Sequence, residues 1–256
     1  MEAFVTSSID ARGIAFVKFF HPKSNSLPSA LLKKLAYEIE TLGADDSVKA
    51  IMLASEGDKT FCAGASFDEM FDIKDEAAGK EYFMGFARVL NAMRKCPKFI
   101  IVRAQGKAVG GGVGLIGAAD IALACREASI KLSELSIGIG PFVIDPAIER
   151  KTGPSVLGEL SLLTEWRSAE WAREKGLYAE VYPSISALDE AIEKICDKFS
   201  SRNPEAMAML KKVLWRGTED WDSLLEERAE MSGRLVLSEF TSNAIKSFRE
   251  TEKQAR

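Results

Sequence analysis

The chain has 256 residues, 46% hydrophobic and 28% charged, which is enough apolar material for a sizeable core and too much for a disordered or fibrous chain. Lys and Arg number 34 against 38 Asp and Glu, a formal net charge of -4, so no basic excess is available to neutralise a nucleic-acid backbone. The start, Met1 to Gly13, lacks a basic segment followed by an apolar one, and the glycine-rich uncharged run Ala108 to Ala119 is too short for a bilayer, which asks about 20 apolar residues of a helix. A cytoplasmic protein with neither nucleic acid nor membrane as a partner is expected.

In chain order, Val, Ile and Phe flank the turn Asp10-Ala11-Arg12-Gly13 and predict a hairpin over 3–9 and 13–20. His21, the only histidine, follows the run Phe16 to Phe20 and precedes Pro22; a strand end suits it better than Ser-His-Asp chemistry. Pro28 opens a helix in which Leu31, Leu32, Leu35, Ile39 and Leu42 recur at helical spacing, and Gly43 is placed to end it. Val48 to Ala54 reads as a buried strand. After the loop 56–60 come the small-residue run Phe61 to Ala65 and a helix from about Ser66. A longer helix near 80–94 stops before Pro97, Phe99 to Ala104 is a further strand, and the glycines at 110–114 precede the strand Ile121 to Cys125. This alternation predicts an α/β layer arrangement for about 1–130. Beyond about 140 the pattern is helical almost throughout, with Leu188, Ile192, Ile195 and Phe199 on one stripe and helices over 204–215, 220–237 and 240–253. Cys62, Cys96, Cys125 and Cys196 are far apart among apolar neighbours, which suggests neither zinc nor disulfides.

Gly112-Val113-Gly114-Leu115-Ile116-Gly117 fits the dinucleotide fingerprint GxGxxG. That fingerprint needs a crossover helix of a dozen or so residues, yet Asp120 and a new strand follow Gly117 at once. The other reading starts from bare backbone: consecutive glycines at 110–112, opening a helix, let a ligand oxygen approach N–H groups at the positive end of a helix dipole. Ala63-Gly64-Ala65 is a second such turn. Two loops of this kind could converge on one oxygen as an oxyanion hole, or both could be tight turns selected for packing. Glu134, between Ser133 and Leu135, reads by itself as a solvated or helix-starting residue.

Phe61-Cys62-Ala63-Gly64-Ala65 with Asp68-Glu69-Met70, and Gly106 to Gly112 continuing to Asp120-Ile121-Ala122, resemble the two signatures of the crotonase, or enoyl-CoA hydratase/isomerase, superfamily. His21-Pro22-Lys23 with Asn25-Ser26-Leu27, Leu132 to Leu135 with Gly138 and Pro141, and Ala172, Lys175, Gly176 and Leu177 before Val181 extend the similarity in family order over nearly the whole chain. The resemblance implies an α/β fold, a crotonase-like (ClpP/crotonase) spiral of β-β-α repeats. Its core would cover 1–195, with a C-terminal helical trimerisation region at 196–256, and the homo-oligomer would be a trimer or dimer of trimers. It implies an acyl-CoA thioester substrate and no cofactor, coenzyme A being part of the substrate.

By the same resemblance the amides of Ala65 and Gly111 hold the thioester oxygen while Glu134 moves a proton. Ala63, Gly64 and Gly110 line the substrate, and Lys23 contacts CoA. Lys246 or Phe248 reaches a ligand in the adjoining subunit. Phe142 and Val143 bury Glu134 and raise its pKa. Family hydratases carry a second Glu at the place of Gly114, so one carboxylate remains here. That favours moving a proton between carbons, as in Δ3,Δ2-enoyl-CoA isomerisation, over hydration, which would need a second carboxylate or water. Family hydrolases place an Asp where Phe142 stands, which disfavours hydrolysis. Asp145 is either a second carboxylate or the cap of the helix starting at Pro146. Ser66 and Phe67 depart from the family pattern. A non-catalytic acyl-CoA-binding homologue is the competing reading outside enzymology.

Overall fold

The computed structural model describes residues 1–254, with side chains to residue 247. Strands β1 (Phe4–Ile9) and β2 (Ile14–Phe20) form the expected antiparallel hairpin. The Asp10 carboxylate closes its turn by accepting from the N–H groups of Arg12 and Ile14, both at 2.9 Å. Helix α1 (Ser29–Ala44) buries Leu32, Leu35, Ile39 and Leu42 behind Pro28. Gly43 lies within the last turn and does not end the helix. A Cβ there would come 3.0 Å from Cys96 Sγ, so the glycine serves a close approach to the next segment.

Three further turns of chain repeat one plan. The first is β3 (Ala50–Ser55), β4 (Thr60–Cys62), the short α2 (Phe67–Phe71) and α3 (Glu76–Lys95); the second is β5 (Phe99–Ala104), β6 (Lys107–Val109) and α4 (Gly111–Ala118). The third is β7 (Ile121–Cys125), β8 (Ile130–Lys131), a 3-10 turn over Glu134–Ile137 and α5 (Asp145–Leu163). After α6 (Ala169–Glu174), the strand β9 (Glu180–Tyr182) corrects the expectation of helix almost throughout beyond 140; three residues are too few to show a two-residue period. The first strand of each repeat joins the large sheet, ordered β1-β2-β3-β5-β7-β9, and the second joins a small sheet, β4-β6-β8. Every pairing except β1 with β2 is parallel. Parallel strands are covered on both faces, which is why Ala50–Ser55 is buried at every position.

Helix α7 (Ile185–Ser200) covers one face of the large sheet, setting Leu188, Ile192 and Cys196 among Ile14, Met52, Ile101 and Leu123. The other face, with Val17, Ile51, Ile100 and Val102, packs on α1, α3 and α4 in the main core. The domain boundary expected at 195/196 therefore falls inside α7. Helices α8 (Pro204–Leu214), α9 (Trp221–Leu235) and α10 (Glu239–Gln254) complete the chain. Helix α9 crosses α3 so closely that a Cβ on Gly79 would lie 2.6 Å from the Gly233 carbonyl oxygen. Helix α8 is fastened by a buried pair, Lys211 Nζ to Asp120 Oδ2 at 2.9 Å. Asp120 also accepts from Ile100 N–H and Trp215 Nε1, both at 2.7 Å, so its charge is well satisfied. All four cysteines are buried and unpaired in disulfides, and burial pushes the Cys62 thiol up to about 12. Among the described residues no helix is long and apolar enough to cross a membrane.

Candidate active site

The strands β4, β6 and β8 run parallel and side by side, so their C-terminal ends open on one edge of the small sheet. Ligand-binding loops of parallel sheets sit at such ends. Three loops leave here: Ala63-Gly64-Ala65 after β4, Gly110-Gly111 after β6, and Leu132-Ser133-Glu134 after β8.

The first loop is held by residues 21–27. The Ser24 carbonyl accepts from Ala63 N–H at 3.2 Å, and the Gly64 carbonyl accepts from Leu27 N–H at 2.8 Å. Asn25 is buried and donates through Nδ2 to the carbonyls of Glu56 and Thr60, both at 2.8 Å, while its Oδ1 accepts from His21 N–H. Ser24 and Asn25 adopt left-handed φ values of 51° and 54°. His21 directly follows β2, with Nδ1 2.9 Å from Ser26 Oγ, so its ring is tied into this clamp, and burial lowers its pKa.

With these bonds made, the N–H of Ala65 donates to no protein acceptor among the described residues, and neither does that of Gly111, the first residue of α4. The loops touch at Gly64, where φ is +84° and a Cβ would lie 3.0 Å from the Val109 carbonyl oxygen and 3.3 Å from Gly111 N. Gly112 packs as tightly on the first loop, since its Cβ would lie 2.3 Å from the Cys62 carbonyl oxygen. Only bare backbone fits at these two positions. Ala65 and Gly111 both line one cavity of about 90 Å³, and the dipole of α4 adds positive potential at Gly111.

Glu134 lines the same cavity from the third loop. Its Oε1 lies 2.6 Å from where a Cβ on Gly110 would stand, so glycine at 110, with φ +53°, leaves room for the carboxylate. Its Oε2 is buried without a hydrogen-bond partner. Burial pushes the Glu134 pKa up to about 7, which suits a group that takes and returns protons near neutrality. Behind it, Phe240 and Thr241 of α10 abut Gly138 and back the turn that carries Glu134. Phe67, Met70, Phe83, Phe86, Ile137, Ile139, Val143 and Ile144 make the rest of the wall apolar, and among the described residues Ser133 and Ser232 are its only other polar side chains.

Ala63, Gly64, Ala65, Gly110, Gly111 and Glu134 are thus brought together. Besides Asp145, three expected residues with described side chains are not on this wall. The Phe142 ring folds back over Gly140, where a Cβ would meet it at 2.3 Å, whereas Val143, Ile144 and the α3 residues Phe83 and Phe86 line the cavity that Glu134 also lines. Lys23 is paired with Asp68 of α2, and both side chains are exposed. Lys246 is exposed on α10, and the Phe248 side chain lies outside the described residues.

Asp145 meets neither expectation. Ile144 occupies the cap position of α5, no side chain caps it, and the Asp145 carboxylate faces Arg228 at 3.6 Å along a separate groove. The Pro141 carbonyl accepts from the N–H groups of both Ile144 and Asp145, at 3.0 and 2.9 Å, a helical entry that turns neighbouring side chains about 100° apart. Ile144 enters the cavity and Asp145 is carried away from it. Burial nonetheless pushes the Asp145 pKa up to about 6.

Ser66 caps α2, accepting from Glu69 N–H at 3.5 Å, and leaves Phe67 to line the cavity. The apolar wall from α2 and α3 is signalled in the sequence only by amphipathic spacing, which reads as core. Ser232 carries no signal, because its place depends on the crossing of α9 over α3. No group of three or more His, Cys, Asp or Glu able to hold a metal occurs among the described residues.

A family model described as "Enoyl-CoA hydratase/isomerase" matches residues 10–255. The "Probable enoyl-CoA hydratase" of Bacillus subtilis is 29% identical over 247 residues, covering 94% of this chain and 93% of that protein. The "Short-chain-enoyl-CoA hydratase" of Clostridium acetobutylicum is 28% identical over 243 residues, covering 94% and 92%. Among solved structures, an enoyl-CoA hydratase from Bacillus halodurans superposes with a TM-score of 0.88 at 21% identity, covering 95% of this chain and 99% of that one, and bears on the fold alone. An enoyl-CoA hydratase from Mycobacterium avium superposes with a TM-score of 0.83 at 27% identity, covering 98% of both chains.

Proposed function

Because the chain belongs to the enoyl-CoA hydratase/isomerase family, we propose that it binds an enoyl-CoA thioester and moves its double bond between the Δ3 and Δ2 positions. The thioester oxygen accepts from the N–H groups of Ala65 and Gly111. As the proton next to the carbonyl leaves for Glu134, charge passes to that oxygen, and two preorganised donors lower the barrier by some kcal/mol each. Glu134 then returns the proton to the γ-carbon, and the double bond settles in conjugation with the thioester. No electrons enter or leave, so the reaction needs no cofactor beyond the coenzyme A of the substrate.

One observation carries this reading: Glu134 is the only ionisable side chain on the cavity wall among the described residues. One carboxylate suffices for a 1,3-proton transfer. The names of the Bacillus and Clostridium relatives favour a second reading, hydration of a 2-enoyl-CoA, with Glu134 the sole acid/base. The two are separated by offering 3-enoyl- and 2-enoyl-CoA thioesters to the wild type and to Glu134→Gln. Conversion of the 3-enoyl substrate that falls by about a thousandfold or more in the variant supports isomerisation. Hydration that survives Glu134→Gln contradicts both readings, and binding without turnover of either substrate indicates a silent homologue.

Lys23 is the proposed CoA contact, exchanging Asp68 for a phosphate, and Lys246 or Phe248 the proposed contact to a ligand of an adjoining subunit. A homotrimer or dimer of trimers is supported by the exposed apolar side chains Met209, Leu210, Val213 and Leu214 on α8 with Leu162 and Leu163 at the end of α5. Light scattering that returns a monomer refutes that assembly. The cytoplasm is the proposed compartment.

A further inference from the structure

We propose that the acyl group this site accepts is short and uncharged, about four carbons long, and that Met70 is the residue that sets the limit. This rests on the acyl-CoA reading above and names the acyl class. The cavity lined by Ala65, Gly111 and Glu134 has a volume of about 90 Å³. An apolar protein cavity of about 150 Å³ holds benzene, a ring of six carbons, so by proportion this one holds about four. A thioester carbonyl and the α- to γ-carbons that Glu134 has to reach use that space up.

The wall at Met70 has more packing behind it. Met70 of α2 and Ile139, which follows the turn carrying Glu134, are both buried and both line the cavity. They belong to one apolar cluster with Tyr82 of α3, Val236 at the end of α9 and Ile245 of α10. Tyr82 is fixed in turn: its hydroxyl donates to the Ser66 carbonyl at 3.0 Å, and its ring meets that of Phe83 edge-on with centroids 5.0 Å apart. A longer chain gains burial only by pushing packed side chains aside, which is as unfavourable as overpacking a core. Met70 is the part of this wall that can be cut back without touching the machinery. Ile139 donates its N–H to the Glu134 carbonyl at 3.0 Å, and the Phe86 ring lies against Gly111, whereas Met70 makes neither contact.

Charge is excluded by the same wall. Among the described residues that line the cavity there is no Lys, Arg or His. The Ser232 hydroxyl already donates to the Arg228 carbonyl at 3.1 Å, and the hydroxyl of Ser133 does not neutralise a carboxylate. A carboxylate on the acyl group would enter beside Glu134 with no cation to meet it, and a buried unpaired charge is strongly unfavourable.

The test is calorimetric binding of butanoyl-, octanoyl- and malonyl-CoA to the full chain, with thermal melts to show that each variant is folded. The wild type is expected to bind octanoyl-CoA about tenfold or more weaker than butanoyl-CoA, the reverse of the trend in a pocket that buries every added methylene. Malonyl-CoA, no longer than butanoyl-CoA, is expected to bind about a hundredfold weaker than it. Met70→Ala opens the wall and should raise the octanoyl-to-butanoyl affinity ratio about tenfold, while Met70→Leu, which keeps the volume, leaves the ratio as in the wild type. Should Met70→Ala not fold, Met70→Val supplies the same comparison with a smaller shift. Octanoyl-CoA bound by the wild type as tightly as butanoyl-CoA, or more tightly, overturns the length limit. Malonyl-CoA bound as tightly as butanoyl-CoA overturns the exclusion of charge, and a folded Met70→Ala with the wild-type ratio overturns the assignment to Met70. No turnover is involved, so a protein with these preferences that does not isomerise a 3-enoyl-CoA refutes the isomerase reading and upholds the acyl class, and one that binds none of the three thioesters refutes both.

Discussion

Glu134 lies where an ionised carboxylate is costly, and that cost is measurable without any substrate. Raising its pKa from an ordinary 4.5 to about 7 by burial corresponds to about 3 kcal/mol of lost stability once the group is ionised in both folded and unfolded chains. Below pH 4.5 the group is protonated in both states and the penalty is absent. Between 4.5 and 7 the unfolded chain releases a proton that the folded chain keeps, so this part of the stability falls as pH rises, and above 7 the loss is complete. Glu134→Gln abolishes the titration. At about 2–4 °C per kcal/mol for a chain of this size, the variant should melt at least about 5 °C higher relative to the wild type at pH 8 than it does at pH 4.5, after allowing for solvent screening of a half-buried side chain. The diagnostic quantity is the change in the difference between the two proteins. A fixed cost of burying the amide cancels, and so does the titration of Asp145, which is present in both. Calorimetric or circular-dichroism melts at the two pH values supply it. A variant-minus-wild-type difference that is the same at both pH values refutes the burial argument for Glu134.

Asn25→Ala strips the partner from the carbonyls of Glu56 and Thr60, and should cost about 2–4 kcal/mol in a denaturant melt while loosening the loop that carries Ala65. Its amide-exchange protection around 63–65 is expected to fall, and unchanged protection contradicts the clamp. Gly64→Ala places a methyl 3.0 Å from the Val109 carbonyl oxygen at a φ of +84°; turnover should drop by about a hundredfold or more as the two loops part, with about 1–2 kcal/mol of lost stability. Full turnover in that variant would show that the contact between the loops is dispensable. Lys211→Met leaves the buried Asp120 carboxylate hydrogen-bonded to two neutral donors, with Arg150 and Lys151 as more distant cations, and a loss of about 3 kcal/mol is expected in equilibrium unfolding. A second substitution, Asp120→Asn, should recover part of it, and strict additivity of the two would rule out their coupling.

What the sequence discloses follows from which forces are local. The hairpin at Asp10–Gly13, the stripe of α1 and the buried runs of β3 and β5 rest on turn chemistry and period, and they stand within a residue or two of expectation. The loops that carry the bare amides of Ala65 and Gly111 were legible because glycine and alanine are informative by what they lack. Legibility stops where a position depends on another part of the chain. The direction of Asp145 is decided by the Pro141 carbonyl and the turn it organises. Phe142 is drawn back by the space over Gly140, and Ser232 reaches the cavity only because two glycines let α9 cross α3 in contact. Strand β9 escapes notice because three residues joined to a sheet edge need no pattern of their own.

The most direct test is a crystal structure with a bound 3-enoyl-CoA or a non-reacting thioester analogue. The thioester oxygen is expected about 2.7–3.1 Å from the backbone nitrogens of both Ala65 and Gly111, with a Glu134 oxygen facing the α- and γ-carbons. A thioester seated away from either nitrogen, or a Glu134 carboxylate turned from the acyl chain, would contradict the mechanism.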